Sequence, residues 1–151
     1  MMHHDLRDTS ALQILDARMI NDAPWGSDEA RTAGMMPLLV ALDRTWGQPE
    51  VQRSAARWIA LGTVRRVLPV ALRACGLDAS ACESAGTLAA QFAAAQFAAA
   101  AGYRAAAQFA ADAARSAASA VPASEQPAVL RLAVAVWVDA IERAERGEVC
   151  P

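Results

Sequence analysis

Residues 84–121 read SAGTLAAQFAAAQFAAAAGYRAAAQFAADAARSAASAV, and this stretch decides the fold. Alanine is the best helix former, and no proline interrupts the stretch before Pro122. The segment is expected to be one long helix, about 57 Å from end to end if straight at 1.5 Å per residue. That is long for a chain of 151 residues, so a bend is expected near Gly102. Phe92, Phe97, Tyr103 and Phe109 fall at about 0°, 140°, 20° and 260° around the axis, so they form no single stripe. A helix with aromatics on several sides is expected to be surrounded, which makes residues 88–103 the expected core. Arg104, Gln108, Asp112, Arg115 and Ser119 step by three or four residues and line one polar face, so the second half is expected to surface.

The flanking segments are also helical in pattern. Leu6, Leu12, Ile14, Leu15 and Met19 make an apolar face that ends at the NDAPWG break, residues 21–26. Ser27 or Asp28 caps the next helix, with Asp28 and Glu29 near its positive end. Gly34 and Pro37 are expected to interrupt it, and the MMPLLVAL run to resume as a helix from about Met36 to Trp46. Pro49 and Glu50 start a further helix, and Pro69 is expected to kink or split it near Arg65 or Arg66. Gly76 reads as a C-terminal cap, and Asp78 or Ser80 as the cap that follows. Pro122 ends the long helix and Ser124 caps the last one. In that last helix Leu130, Val134, Trp137, Ile141 and Ala144 form a seam. The tail from Glu148 to Pro151 is expected to be loose and Cys150 exposed.

Two helix starts look alike, Trp25-Gly26-Ser27-Asp28-Glu29 and Trp46-Gly47-Gln48-Pro49-Glu50. This is read as the common grammar of an apolar residue ahead of a cap rather than a repeat. The fold expected is all-α: a compact bundle of about five to seven helices around the long Ala-rich central helix, in one domain over residues 1–151.

Composition narrows the function. The chain is 55% hydrophobic but only 5% aromatic, and its net charge is -2. All basic side chains are arginines. Charge is segregated: residues 1–43 and 78–151 are net acidic, whereas residues 44–77 carry six arginines against the single carboxylate of Glu50. The overall balance argues against nucleic acid as a partner. Residues 84–103 lack charge over the length of a membrane span. Their glutamines and alanines make them weakly apolar and flanking aromatic belts are missing, so a bundle helix and no membrane contact are expected. The polar, acidic start is no signal peptide, and Cys75, Cys82 and Cys150 make no disulfide framework, so the chain is read as cytoplasmic with reduced thiols.

Reactive constellations are absent from the sequence. The only histidines, His3 and His4, are adjacent and terminal, which removes Ser-His and Cys-His catalysis from the body of the fold. No phosphate-loop, dinucleotide, zinc-protease or nucleophile-elbow pattern occurs. Cofactors and metals are expected to be none, and the protein is read as leaning away from enzymes. Cys75 and Cys82 flank a turn as structural thiols, with a redox bridge as the alternative.

The strongest site candidate is the arginine set Arg53, Arg57, Arg65, Arg66 and Arg73, suited to an acidic protein surface or a phosphate. Against this stands internal pairing with Asp5, Asp8, Asp16 and Asp22. A second candidate is a pocket between helices walled by Trp46, Trp58, Tyr103 and Arg104.

The run Arg57-Trp58-Ile59-Ala60-Leu61-Gly62-Thr63-Val64-Arg65-Arg66-Val67-Leu68-Pro69, followed by alanine-rich helices, resembles the all-helical immunity proteins of bacterial polymorphic-toxin systems. In that group a Trp-Ala start and an Arg-Val-Leu-Pro stretch precede Ala-Ala repeats, and the likeness extends from about Arg57 to Val121. It implies a helical, non-enzymatic fold that works by binding another protein, and it implies no catalytic residue. Two function classes therefore stand open. One is a helical interaction protein with a protein partner, immune or regulatory in role. The other is a small-molecule binder or enzyme built on the aromatic and arginine pocket. Self-association through the Leu130–Ala144 seam is compatible with either.

Overall fold

In a computed structural model the described residues are 18–83 and 102–151, apart from the side chains of Ala81 and of residues 102–109. They are helical with no strand among them, so the protein is all-α. The helices are α1 (Asp28–Arg44), α2 (Pro49–Gly62), α3 (Leu68–Ala74), α4 (Ser80–Glu83), α5 (Gly102–Ala120) and α6 (Gln126–Glu145). A helical turn over 18–21 precedes α1 and ends at Asn21, at the break read from the sequence. Leu6, Leu12, Ile14 and Leu15 lie outside the described residues, as do Asp5, Asp8 and Asp16 and the whole of residues 84–101.

Helix α1 starts as its sequence dictates. Ser27 is the N-cap, its Oγ accepting from the Ala30 N–H at 3.1 Å, and Asp28 and Glu29 occupy the first turn. The helix then runs unbroken through Gly34 and Pro37, which corrects the expected interruption. The reason is tertiary. Trp25 is buried, with its indole N–H donating to the Ile20 carbonyl at 2.8 Å, and its ring lies against Gly34. A Cβ at position 34 would meet that ring at 2.2 Å, so Gly34 is a packing contact. Pro37 is exposed, so its ring is not pressed into the core. The look-alike tryptophan, Trp46, is 59% exposed, so the two similar helix starts serve different ends.

Proline placement also shapes α2 and α3. Pro49 opens α2, as read from the sequence. Pro69 cannot donate an N–H, and its ring crowds the carbonyl four residues back. The chain answers by widening into a π-helical stretch, Thr63–Val67, in which the Leu68 N–H donates to the Thr63 carbonyl. The split thus falls at Arg65 and Arg66, where it was expected. Thr63 is buried, and its hydroxyl donates to the Ile59 carbonyl at 2.7 Å. Helix α3 ends at Ala74 and Gly76 turns the chain just beyond it with a φ of 73°, the Leu77 N–H donating to the Leu72 carbonyl at 2.8 Å. Asp78 then caps α4, accepting from the Ser80 N–H and hydroxyl at 2.9 and 2.6 Å.

Helix α6 packs against α2, α1 and α5 and holds the core of the described residues. Its seam residues Leu130, Val134, Trp137, Ile141 and Ala144 are all buried, joined by Val129, Ala133, Val136 and Ala140. Fully burying each of the larger side chains contributes about 1.5–3 kcal/mol. The seam is thus consumed inside the fold, which leaves it no free face for self-association. Helix α5 buries Ala110, Ala111, Ala113, Ala114, Ala117 and Ala118 and exposes Asp112, Arg115 and Ser119. The described part of the polar stripe, Asp112, Arg115 and Ser119, surfaces as expected, with the side chains of Arg104 and Gln108 outside the described residues, while the methyl-only side lets α2 and α6 approach closely. Gly62 of α2 does the same: a Cβ there would meet Val136 Cγ1 at 2.7 Å.

Two expectations at the C-terminal end are corrected. The N-cap of α6 is Glu125 rather than Ser124, without a side-chain cap bond, because Pro127 sits in the first turn and fixes the helix start. The tail after α6 is anchored rather than loose. The Glu148 carboxylate accepts from Arg143 at 3.2 Å and Arg146 at 2.8 Å, and the Glu148 carbonyl accepts from the Trp58 indole N–H at 3.3 Å.

Candidate functional site

An open groove of about 690 Å³ lies between α1 and α6. From α6 it takes Arg131, Val134, Ala135, Val138, Asp139, Glu142 and Arg143, a spacing of three and one that keeps them on a single helical face. Helix α1 contributes Ala33, Gly34 and Pro37, and the π-helical stretch contributes Arg66. Small residues set the depth of the groove. Ala33 adds little bulk on this side of α1, while Gly34 lines the groove with backbone alone, its Cβ space being taken by the Trp25 ring. Pro37 has no N–H to offer the Ala33 carbonyl, and both residues line the groove, so that acceptor lacks its ordinary helical donor.

The apolar surface continues beyond the groove. Met36, Leu39 and Val40 are each about half exposed, and Met36 and Val40 fall on the same α1 stripe as Ala33 and Pro37. Three large exposed apolar side chains on one short helix form a patch larger than the scattered single residues of an ordinary surface.

Charge is arranged around this floor. Arg143 is fully engaged: its Nε donates to Asp139 Oδ2 at 2.9 Å, its Nη1 donates to Glu148, and its guanidinium lies 4.7 Å from the Trp58 ring centre. The Asp139 bond raises its pKa further. Arg44 at the end of α1 donates to both carboxylate oxygens of Glu145 at 3.2 and 3.1 Å, which fastens α1 to α6 beside the groove. Among the described residues, the guanidinium groups of Arg66 and Arg131 take part in no hydrogen bond or ion pair. Both are exposed, so their charge faces the groove uncommitted.

The arginine set read from the sequence is dispersed over several settings. Arg53 pairs with Glu50 within α2, and Arg73 pairs with Glu83 of α4. Arg57 is exposed and Arg65 half-buried, and both act on Cys150. Arg66 alone of the five lines the groove. Asp22, one of the proposed internal partners, accepts from the neighbouring Asn21 amide. Of the pocket candidates, Trp46 stands in solvent, Trp58 is capped by Arg143 and Glu148, and neither lines the groove. The side chains of Tyr103 and Arg104 lie outside the described residues.

Cys150 is half-buried rather than exposed. Burial pushes its thiol pKa up, and Arg57, Arg65 and Arg143 draw it part of the way back. Among the described residues no cluster of three or more His, Cys, Asp or Glu side chains is placed to hold a metal. No helix among them is long and apolar enough to cross a membrane.

Sequence reading missed Arg131, Met36, Leu39 and Val40. A signal for Arg131 existed: Arg131, Val134, Ala135, Val138 and Glu142 recur at helical spacing beside the buried seam. Comparison with protein-family models, curated proteins and solved structures finds no match. The functional reading therefore rests on the chemistry of the groove.

Proposed function

We propose that the protein is a non-enzymatic helical interaction protein of the cytoplasm, in an immunity or regulatory role, that binds another protein through the α1–α6 groove. The observation that carries this reading is the continuity of the groove with the exposed Met36, Leu39 and Val40, rimmed by two uncommitted arginines. An apolar floor with a charged rim is the make-up of a protein-binding patch. A small-molecule site built on Trp46 and Trp58 has less support, since one ring is in solvent and the other is covered by Arg143.

The test places a photo-crosslinking amino acid at Ala135, in the groove, and separately at Ser119, on the exposed face of α5. Illumination in native cells is expected to give a protein adduct at position 135 and none at 119. No adduct at position 135, with the full chain monomeric, overturns the proposal.

A further inference from the structure

We infer that the occupant of the groove is an acidic amphipathic helix of the partner protein, about three turns long, with its acidic side chains meeting Arg66 and Arg131. This inference rests on the interaction reading above and adds the partner's chemistry.

Length and shape come first. The lining stripe on α6 runs from Arg131 to Arg143, a span of about 18 Å at 1.5 Å per residue, or about three helical turns. The groove is open to solvent, which suits a helix laid against it. Its floor is Val134 and Val138 flanked by Ala33, Gly34 and Ala135, apolar and mostly small. Side chains projecting from one face of a helix at i, i+3 or i+4 and i+7 would find apolar contact along this floor and room between its small residues. Met36 and Val40 extend the same contact up the outer side of α1.

Charge sets the occupant's sign and direction. Arg143 and Asp139 satisfy each other, so the uncommitted cations are Arg66 and Arg131. Arg131 stands at one end of the α6 stripe, and Glu142 and Arg143 stand at the other, where Arg143 is engaged by Asp139 and Glu148 and Glu142 is the carboxylate left facing the groove. An acidic residue of the occupant belongs near Arg131, and an uncharged or basic one near Glu142. The carboxylates of Asp139 and Glu142 on this floor disfavour a uniformly anionic surface such as a lipid headgroup layer.

The test pans a library of random 15-residue peptides against the full chain and measures the enriched peptides by fluorescence anisotropy. Enriched sequences are expected to carry an excess of Asp and Glu beside a helical apolar period. Their affinity is expected to fall at least about ten-fold in the double variant Arg66→Glu, Arg131→Glu, and to weaken as salt rises. Ala135→Arg, at an exposed position that leaves the core untouched, is expected to abolish binding, whereas Ser119→Arg leaves it unchanged. Enriched peptides that are basic or extended, peptides indifferent to Ala135→Arg, or no enrichment at all would overturn the inference. So would laurate, a simple amphiphile, shifting the methyl resonances of Val134 and Val138 where no peptide does. A crosslinked partner at position 135 whose bound segment is basic overturns the acidic-helix assignment alone and leaves the interaction reading standing.

Discussion

Arg143 lies over Trp58, its guanidinium 4.7 Å from the ring centre, although the two residues sit on different helices. The contact ties the end of α6 to the middle of α2, and the Trp58 indole N–H completes the tie by donating to the Glu148 carbonyl. Trp58→Phe keeps a ring under Arg143 and removes that donor. It is expected to cost about 1 kcal/mol, the ordinary worth of one hydrogen bond. In a variant with Cys75 and Cys82 replaced by serine, it is also expected to speed alkylation of Cys150, measured against the parent by mass spectrometry.

The same thiol gives a pH dependence. Its folded pKa is raised above the unfolded value, chiefly by burial, so folding favours the protonated form. Stability from this group is fully present below the ordinary thiol pKa and is lost as pH rises through the raised value. Arg57→Gln removes one of the cations that favour the thiolate and is expected to push the Cys150 titration higher still. Thiolate absorbance in the single-cysteine variant reads this directly, and an unchanged or lower midpoint would contradict it.

Asp78 works in the opposite sense at low pH. Its carboxyl pKa is lowered, first by the Ser80 hydroxyl and then by the Ser80 N–H. The contribution of this cap is present above the ordinary aspartate pKa and lost as pH falls through Asp78's depressed value. Ser80→Ala is expected to return the Asp78 titration toward the ordinary aspartate range, measured by carboxyl NMR shifts.

Two glycines hold helices close. Ala at position 34 would strike the Trp25 ring, and Ala at position 62 would strike Val136. Each substitution gains some helix propensity but overpacks a buried contact, for a net loss expected at about 1–3 kcal/mol by urea unfolding. Val136→Ala is expected to relieve Gly62→Ala and not Gly34→Ala, a coupling that a double-mutant cycle isolates.

The Arg44–Glu145 pair is expected to matter far less. It is bidentate, but its side chains are 43% and 27% exposed. Glu145→Gln is expected to cost up to about 1 kcal/mol at low salt and to approach neutrality as ionic strength rises. A loss that persists undiminished in high salt would show that the contact acts through packing.

Sequence alone determined where many helices start and stop. Ser27, Pro49, Gly76, Asp78 and Pro122 act within a turn or two of themselves, so their effects follow from local chemistry wherever the helices later go. The split before Pro69 and the buried seam from Leu130 to Ala144 were legible for the same reason, since ring geometry and side-chain period are local properties. The unbroken α1 was not legible, because only Trp25 packed on Gly34 explains why that glycine is there. Tertiary structure also decided which arginines are spent. Arg44 reaches Glu145 across 101 positions of sequence, and Arg143 covers Trp58, whereas Arg66 and Arg131 meet at one groove uncommitted. Charge pairing depends on distance in space, and one-dimensional spacing carries that information only within a helix.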